Sequence, residues 1–469
     1  MNAHGSIDNR KEDSHQGHIL HAASFLFYKR QNPYNSFTEF FKIFLKKDKN
    51  IPIMNENATI WIPGSKSQTI RALLIASFAK GISTIRNPLL SSDTCSTMEA
   101  LRALGVDIAY DEEKNVLNVD SRALGIRGDA ITLDLGNSGT GTYLLLGLAA
   151  SLGRRITITG DESLSNRPVG PLADAYRALG AKVETRDGFL PITIEGPLKG
   201  GKVEIECKTS QYLSSLLLSA VLSESDVSIN CPLLYEKPYV AMTLSWLDSQ
   251  GIDYEISPDY LTSHVRGAQH YEAGEFMVSG DYSSASFFFA FAAMHNLKLD
   301  ILGLDKDDVQ GDKRVLEILS MMGCSVKWIE NGVSIQGADI LKGGTFDIND
   351  IPDALPILSV LALYASEEVR LTNVPQARIK ETDRIKAMHD ELIKLGADVI
   401  EEEDGLVIKP GAELHGADIK GYKDHRIIMA FSILSTRIKG IRIDDTRHVN
   451  VTFPSFFDLL EHVQKEVEA

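Results

Sequence analysis

From about Ala58 onward the chain alternates between two helical patterns. Six times, a small polar or charged cluster runs directly into an almost wholly apolar stretch. The clusters end at Ser67, Thr140, Ser210, Ser284, Asp353 and Arg426, and successive ones lie 69 to 74 residues apart. A helix that is apolar around most of its circumference must be buried on every side. A second helix in each of the first five copies is amphipathic and runs out at a glycine: Gly105, Gly180, Gly251, Gly323 and Gly396. Glycine tolerates the left-handed backbone that ends a helix, so these positions are stop signals.

Alternating strand residues follow each glycine. Several pairs of runs are joined by hairpin dipeptides, Asp187-Gly188, Asn331-Gly332 and Asp404-Gly405. The repeating unit is therefore α/β: an apolar helix, a strand, an amphipathic helix and a hairpin. Six buried helices need two interiors of three each, which predicts two pseudo-threefold domains joined around 267–280. If the polar helix starts point into the space between the domains, their free backbone N–H groups and positive dipole ends make that cleft attractive to anions.

The helix starts carry the candidate chemistry. In Pro63-Gly64-Ser65-Lys66-Ser67-Gln68-Thr69-Ile70-Arg71, Ser67 and Arg71 share one helix face and Lys66 lies at the dipole's positive end. The spacing is not that of a Walker A loop. Gly136-Asn137-Ser138-Gly139-Thr140 and Lys208-Thr209-Ser210-Gln211 again place hydroxyls, amides and bare backbone at helix starts, and Asn166-Arg167-Pro168 adds a base. Each alone reads as a turn plus a cap. Their recurrence at equivalent points of a repeat makes them a candidate site. The second half contributes Asp347-Ile348-Asn349-Asp350-Ile351-Pro352-Asp353, Arg378-Ile379-Lys380-Glu381-Thr382-Asp383-Arg384 and Asp424-His425-Arg426. The second of these precedes a helix with an apolar face of Ile385, Met388, Leu392 and Leu395, so Lys380 and Glu381 fall in the loop before it. No His/Cys spacing supports a metal.

Composition narrows the partners. The 469 residues carry 48 Lys and Arg against 64 Asp and Glu, a net charge of −16, which argues against nucleic-acid binding. Anionic small molecules remain compatible if the bases are gathered in one cleft. No stretch approaches the roughly 18 to 20 apolar residues of a membrane span. Cys95, Cys207, Cys231 and Cys324 are dispersed without a CxxC pair, as in a cytoplasmic protein with reduced thiols. Residues 1–56 differ from the rest, with an acidic start and a Phe-rich segment, and fit neither a secretory nor a transit peptide. They read as a disordered extension, or as residues upstream of a true start at Met54, dispensable for folding.

Together and in this order, PGSKSxxxR, LGNSGT, NRP, TSQ, IPDA, RxKETDR and DHR resemble the EPSP synthases, the 3-phosphoshikimate 1-carboxyvinyltransferase family of enolpyruvyl transferases. The resemblance runs from about Ala58 to the C-terminus. It implies six βαβαββ repeats in two domains, 64–277 and 57–63 plus 278–469, with the N-terminal strand completing the second. It implies transfer of the enolpyruvyl group of phosphoenolpyruvate to the 5-hydroxyl of shikimate 3-phosphate through a tetrahedral ketal, by a monomer, without metal or organic cofactor. Lys66, Ser67, Arg71, Thr209, Ser210, Gln211, Tyr239, Asp353, Gln376 and Lys380 would hold shikimate 3-phosphate. Lys66, Gly139, Arg167, Gln211, Arg384, His425 and Arg426 would surround phosphoenolpyruvate. Lys66 bridges the two ligands, Glu381 is the implied proton donor or shuttle and Asp353 the implied base, with their division of labour left open.

Three positions depart from the family pattern: Tyr143 stands for an arginine, Gln376 for the usual asparagine and Val451 for a lysine near the phosphoenolpyruvate phosphate. Val451 predicts a slow enzyme or one with weak phosphoenolpyruvate affinity, unless Arg447 or His448 fills the gap. Two alternatives follow: an enolpyruvyl transferase with another acceptor, against which the KETDR and SKSxxxR segments argue, and a diverged homologue that binds anions with little or no turnover.

Overall fold

The computed structural model describes residues 58–125 and 130–468, so the reading of 1–56 lies outside the described residues. The described residues fall within one compact unit, Met54–Ala469, and the architecture below is theirs. All six apolar runs are helices: Lys66–Phe78, Gly139–Ala150, Ser210–Ala220, Tyr282–His295, Leu355–Ala362 and His425–Ser435. Polar side chains cap several of their first turns. Ser138 Oγ accepts from the Gly141 N–H at 3.2 Å, and Asp281, Asp424 and Thr209 do the same for Ser283, Arg426 and Gln211.

In the second, third, fifth and sixth copies the helix crosses between two parallel strands of one sheet, a connection that parallel pairing requires. In the second copy, Ala130–Asp134 runs parallel to Arg155–Thr159, with Gly139–Ala150 between them. Arg155–Thr159 then pairs antiparallel with Phe189–Glu195, whose other edge takes Lys182–Arg186. The same order builds five four-stranded sheets among the described residues. The amphipathic helices end as predicted, with φ between 64° and 105° at Gly105, Gly180, Gly251, Gly323 and Gly396.

Two sheets exchange their first strands. Ala58–Trp61 precedes the first apolar helix but pairs parallel with Lys298–Leu302 of the fourth copy. Glu275–Met277 precedes the fourth apolar helix and pairs with Ile82–Arg86 of the first. The chain thus passes between the halves twice, at the two places where it must.

The sixth copy corrects the expectation of six complete units. It keeps only the parallel pair Asp418–Ile419 and Arg442–Ile443 around its apolar helix. After Ile443 come charged residues, a 3-10 turn over Thr446–Val451 and a final helix, Phe456–Glu468, so no alternating runs remain to form a hairpin.

The apolar helices are buried on every side: all residues from Tyr282 to Met294 and from Gln68 to Phe78 are buried. In the second half Phe287, Phe288, Phe453 and Phe456 pack edge-on or tilted at centroid separations of 5.7 to 6.0 Å. In the first half the helices approach so closely that a Cβ at Gly147 would meet Tyr176 Oη at 1.9 Å and Ser219 Cβ at 2.7 Å. Tyr176 cannot yield easily, because its hydroxyl is tied to Ser215 Oγ at 2.6 Å and Ser219 Oγ at 3.1 Å. Alanine gains about 1 kcal/mol in helix propensity over glycine. Overpacking costs about 1–3 kcal/mol and wins. Gly147→Ala should therefore lower the urea midpoint with the slope unchanged, and an equal or higher midpoint would refute this packing argument.

Candidate active site

Five of the six polar helix starts converge on one cavity whose wall includes Lys66, Ser67, Arg71, Gly139, Arg167, Ser210, Gln211, Tyr239, Asp353, Lys380, Glu381, His425 and Arg426. The fourth, with Asp281 and Ser283, borders a smaller cavity beside Lys66 and Tyr239. Both halves of the sequence supply the wall, as the polar cluster pattern predicts. A second, open cavity of about 480 Å³ shares Arg167, Lys380 and Glu381 with it. Gln376 and Arg384 are buried behind the wall, and the half-buried Thr209 lies outside it.

Lys66 begins its helix and reaches Asp93 Oδ2 at 2.9 Å. Burial raises the Asp93 carboxyl and the Lys66 ammonium opposes it. Arg71 is buried and committed to the scaffold: Nε donates to Thr243 Oγ1, Nη1 to the Ser67 carbonyl and Nη2 to the Tyr239 carbonyl, at 3.0 to 3.1 Å. Burial lowers its pKa to about 10, so it stays charged at neutral pH. Its first task is to fix the Ser67 and Tyr239 backbone that borders the cavity.

The Gly139 and Arg167 turns face each other. A Cβ at Gly139 would stand 2.6 Å from Arg167 Nη1, so glycine leaves the room that the guanidinium occupies. Arg167 Nη2 donates to Asn137 Oδ1 at 3.1 Å and stands 3.5 Å from Glu381 Oε1. Tyr143 buttresses this turn: its hydroxyl donates to the Pro168 carbonyl at 3.0 Å, as does Tyr212 at 2.7 Å, and the rings meet edge-on. The arginine-to-tyrosine departure thus exchanges a charge for a brace under Arg167.

On the opposite wall one buried arginine holds three carboxylates. Arg384 donates from Nε to Asp424 Oδ2 at 2.8 Å, from Nη1 to Asp353 Oδ1 at 2.6 Å and from Nη2 to Glu381 Oε2 at 2.6 Å. Arg426 Nη2 adds a contact to Asp353 Oδ2 at 2.8 Å. Burial pushes the Asp353 carboxyl up, but Arg426, Arg384 and Lys380 outweigh it and hold it far below the carboxylate range. For Glu381, burial is likewise overcome by Arg384 and Arg167, aided by Lys66. Both stand ionised. Burial lowers the His425 imidazole well below its usual value against the pull of Glu381, leaving it neutral.

Several donors and acceptors here are buried without a protein partner: both His425 nitrogens, Gln211 Oε1, Arg167 Nε and Arg426 Nη1. Buried polar groups are normally paired. Orphaned groups lining one cavity are free to hold a polar ligand. Gln376 differs: Nε2 donates to the Asn349 carbonyl at 2.8 Å behind the wall, and its buried Oε1 is unpartnered.

Sequence reasoning passed over the acids that organise the bases. Asp93 pairs with Lys66, Glu236 pairs with Lys380, and Asp312 meets Tyr239 Oη at 3.1 Å, while the same hydroxyl lies 3.3 Å from Asp353. Burial, then the nearby Asp353 charge, pushes the Asp312 carboxyl up to about 7. The one available signal was Glu236 directly before Lys237-Pro238, an acid at the entrance of a proline-started helix. Near Val451, Arg447 is no substitute for a lysine: it is 87% exposed and bidentate on Asp445. His448 does line the open cavity beside Glu381.

A family model described as EPSP synthase (3-phosphoshikimate 1-carboxyvinyltransferase) matches residues 52–460. The chain belongs to the EPSP synthase family. It is 43% identical over 429 residues to a 3-phosphoshikimate 1-carboxyvinyltransferase of Ruminiclostridium cellulolyticum, covering 91% of this chain and 100% of that one. A Yersinia pestis protein of the same name is 36% identical, over 87% of this chain and 96% of its own. Among solved structures, an EPSP synthase from Acinetobacter baumannii superposes with a TM-score of 0.72 at 28% identity, over 87% of this chain and 97% of that one. As an EPSP synthase relative, the chain shares the repeated α/β architecture of the family's solved structures.

Proposed function

We propose that the chain transfers the enolpyruvyl group of phosphoenolpyruvate to the 5-hydroxyl of shikimate 3-phosphate, releasing phosphate. The observation that carries this is the ring of buried, unpartnered donors around two ionised carboxylates, in a chain of this family. Lys66, Ser67, Arg71, Thr209, Ser210, Gln211, Tyr239, Lys380 and, from behind, Gln376 form the acceptor side. Gly139, Arg167, Gln211, Arg384, His425 and Arg426 form the phosphoenolpyruvate side, and Lys66 borders both.

Asp353, ionised and aimed by Arg384 and Arg426, is placed to take the proton of the attacking 5-hydroxyl. Glu381 protonates the enol methylene carbon, which makes C2 electrophilic. The hydroxyl oxygen adds there, giving the tetrahedral ketal, and loss of phosphate together with return of a proton from the new methyl group to Glu381 restores the double bond. Arg167, Arg384 and Arg426 stabilise the charge that builds on the leaving phosphate. No metal or organic cofactor is called for in this sequence of steps.

We read the molecule as two three-repeat domains, 64–277 and 57–63 plus 278–469. The strand exchange supports this, as do contacts such as Arg167 with Glu381 and Lys380 with Glu236 across the cavity. The four cysteines are free thiols, which supports a reducing, cytoplasmic setting, and we take the active form to be a monomer. No helix of the described residues is long and apolar enough to cross a membrane.

The test is phosphate release. It should require shikimate 3-phosphate and phosphoenolpyruvate together. Release with UDP-N-acetylglucosamine in place of shikimate 3-phosphate would redirect the acceptor assignment, and none with either would leave an anion-binding homologue.

A further inference from the structure

The start of the Ser210–Ala220 helix already holds an anion, and it belongs to the protein. Glu236 Oε2 accepts from Ser210 Oγ at 2.8 Å and from the Ser210 N–H at 3.2 Å, and lies 3.5 Å from Thr209 Oγ1. Its other oxygen is ion-paired with Lys380. Two hydroxyls, a backbone N–H at a helix N-terminus and an ammonium make the donor set that a phosphate monoester would recruit. The side chain is 2% exposed. Its backbone is left-handed, φ 59°, unusual for a residue other than glycine.

We infer that Glu236 is a specificity-determining residue that competes with the acceptor's phosphate for this cradle. This rests on the proposed acceptor-side reading of Thr209, Ser210 and Lys380. A phosphate cannot take these donors while the carboxylate holds them, and two anions side by side in a buried site repel strongly. Acceptor binding therefore displaces Glu236 from Ser210 and frees Lys380. The consequence is a weakened preference for a phosphorylated acceptor over its unphosphorylated counterpart, because part of the phosphate's interaction replaces contacts that Glu236 gives up.

The test compares kcat/KM for shikimate 3-phosphate with that for shikimate in the full chain. Glu236→Ser empties the cradle of its charge, and the ratio should rise at least tenfold. Glu236→Gln, which keeps the size and can fold where serine does not, should raise it in the same direction. Glu236→Asp keeps the charge and should raise it less than either. An unchanged or falling ratio in both neutral variants overturns the inference. So does a crystal structure of the natural chain with shikimate 3-phosphate in which Glu236 still sits on Ser210 and the phosphate lies elsewhere. If neither the natural chain nor any variant turns over shikimate 3-phosphate, the acceptor reading itself has failed, and the inference falls with it.

Discussion

Glu381→Gln is expected to lower kcat by about 10²-fold or more, with the KM for shikimate 3-phosphate little changed. The substitution keeps the size of the side chain and a hydrogen-bonding oxygen for Arg384, while removing the group that can carry a proton to carbon. A hundredfold loss corresponds to about 2.7 kcal/mol of transition-state stabilisation. The resting site poses a difficulty that the reaction must resolve. Arg384 at 2.6 Å and Arg167 at 3.5 Å overcome the effect of burial and hold Glu381 well below the usual carboxylate range, so the empty enzyme carries it ionised. An ionised carboxylate cannot protonate a methylene. Phosphoenolpyruvate, arriving multiply anionic among the same arginines, counters their charge and raises the affinity of Glu381 for a proton just when one is needed. The neutral His425 ring, buried with both nitrogens unpartnered, is placed to relay or orient it. A near-normal kcat in Glu381→Gln, measured with both substrates saturating, would remove Glu381 from this role.

The legible part of this protein was whatever repeats. Buried helices announce themselves by being apolar all round, and Phe287, Phe288 and Phe289 in one run leave no solvent face to choose. Glycines such as Gly105 and Gly396 mark helix ends because the left-handed backbone they adopt is a local requirement. Helix-start residues such as Lys66, Gly139, Ser210 and Arg426 came together because equivalent points of a repeat face the same way. Strand exchange between Ala58–Trp61 and Glu275–Met277 is not a local property; a sheet edge accepts either strand, and only the closing of both halves decides. The shortened sixth unit is visible as missing alternation after Ile443, a signal overshadowed by the regular helix spacing. The acids were hidden for a different reason. Asp93, Glu236 and Asp312 are scattered single residues whose meaning lies in which base they meet, and Glu236 meets Lys380 from 144 residues away.

Removing Arg384 should have the largest effect on stability of any single change in the site. Its side chain is 1% exposed and is the common partner of Asp424, Asp353 and Glu381. Replacing a buried ion pair by a well-packed apolar group can be nearly neutral. Taking away one cation and leaving three carboxylates is a different operation, because all three are largely desolvated and Asp424 is shut off from solvent altogether. Arg384→Ala should cost about 3–5 kcal/mol, read from the urea midpoint. Arg384→Lys should cost less, since an ammonium restores one charge but cannot span three acceptors. The pH dependence separates this from a mere cavity. In the natural chain Asp353 and Glu381 are held below their unfolded values, so their contribution is complete above about pH 4 and is lost as the pH falls below it toward the folded values. In Arg384→Ala, the carboxylates that lost their cation are buried at least cost with a proton bound. A group that binds protons more tightly folded than unfolded gives stability that declines as the pH rises, so the sign reverses. Asp312, pushed up to about 7, already favours pH 5 over pH 7 in the natural chain, so the expected result is a larger gain in stability from pH 7 to pH 5 in the variant than in the natural chain. A loss under 1 kcal/mol, or a variant whose stability changes with acid just as the natural chain's does, would show that Asp353 and Arg426 hold this wall together without Arg384.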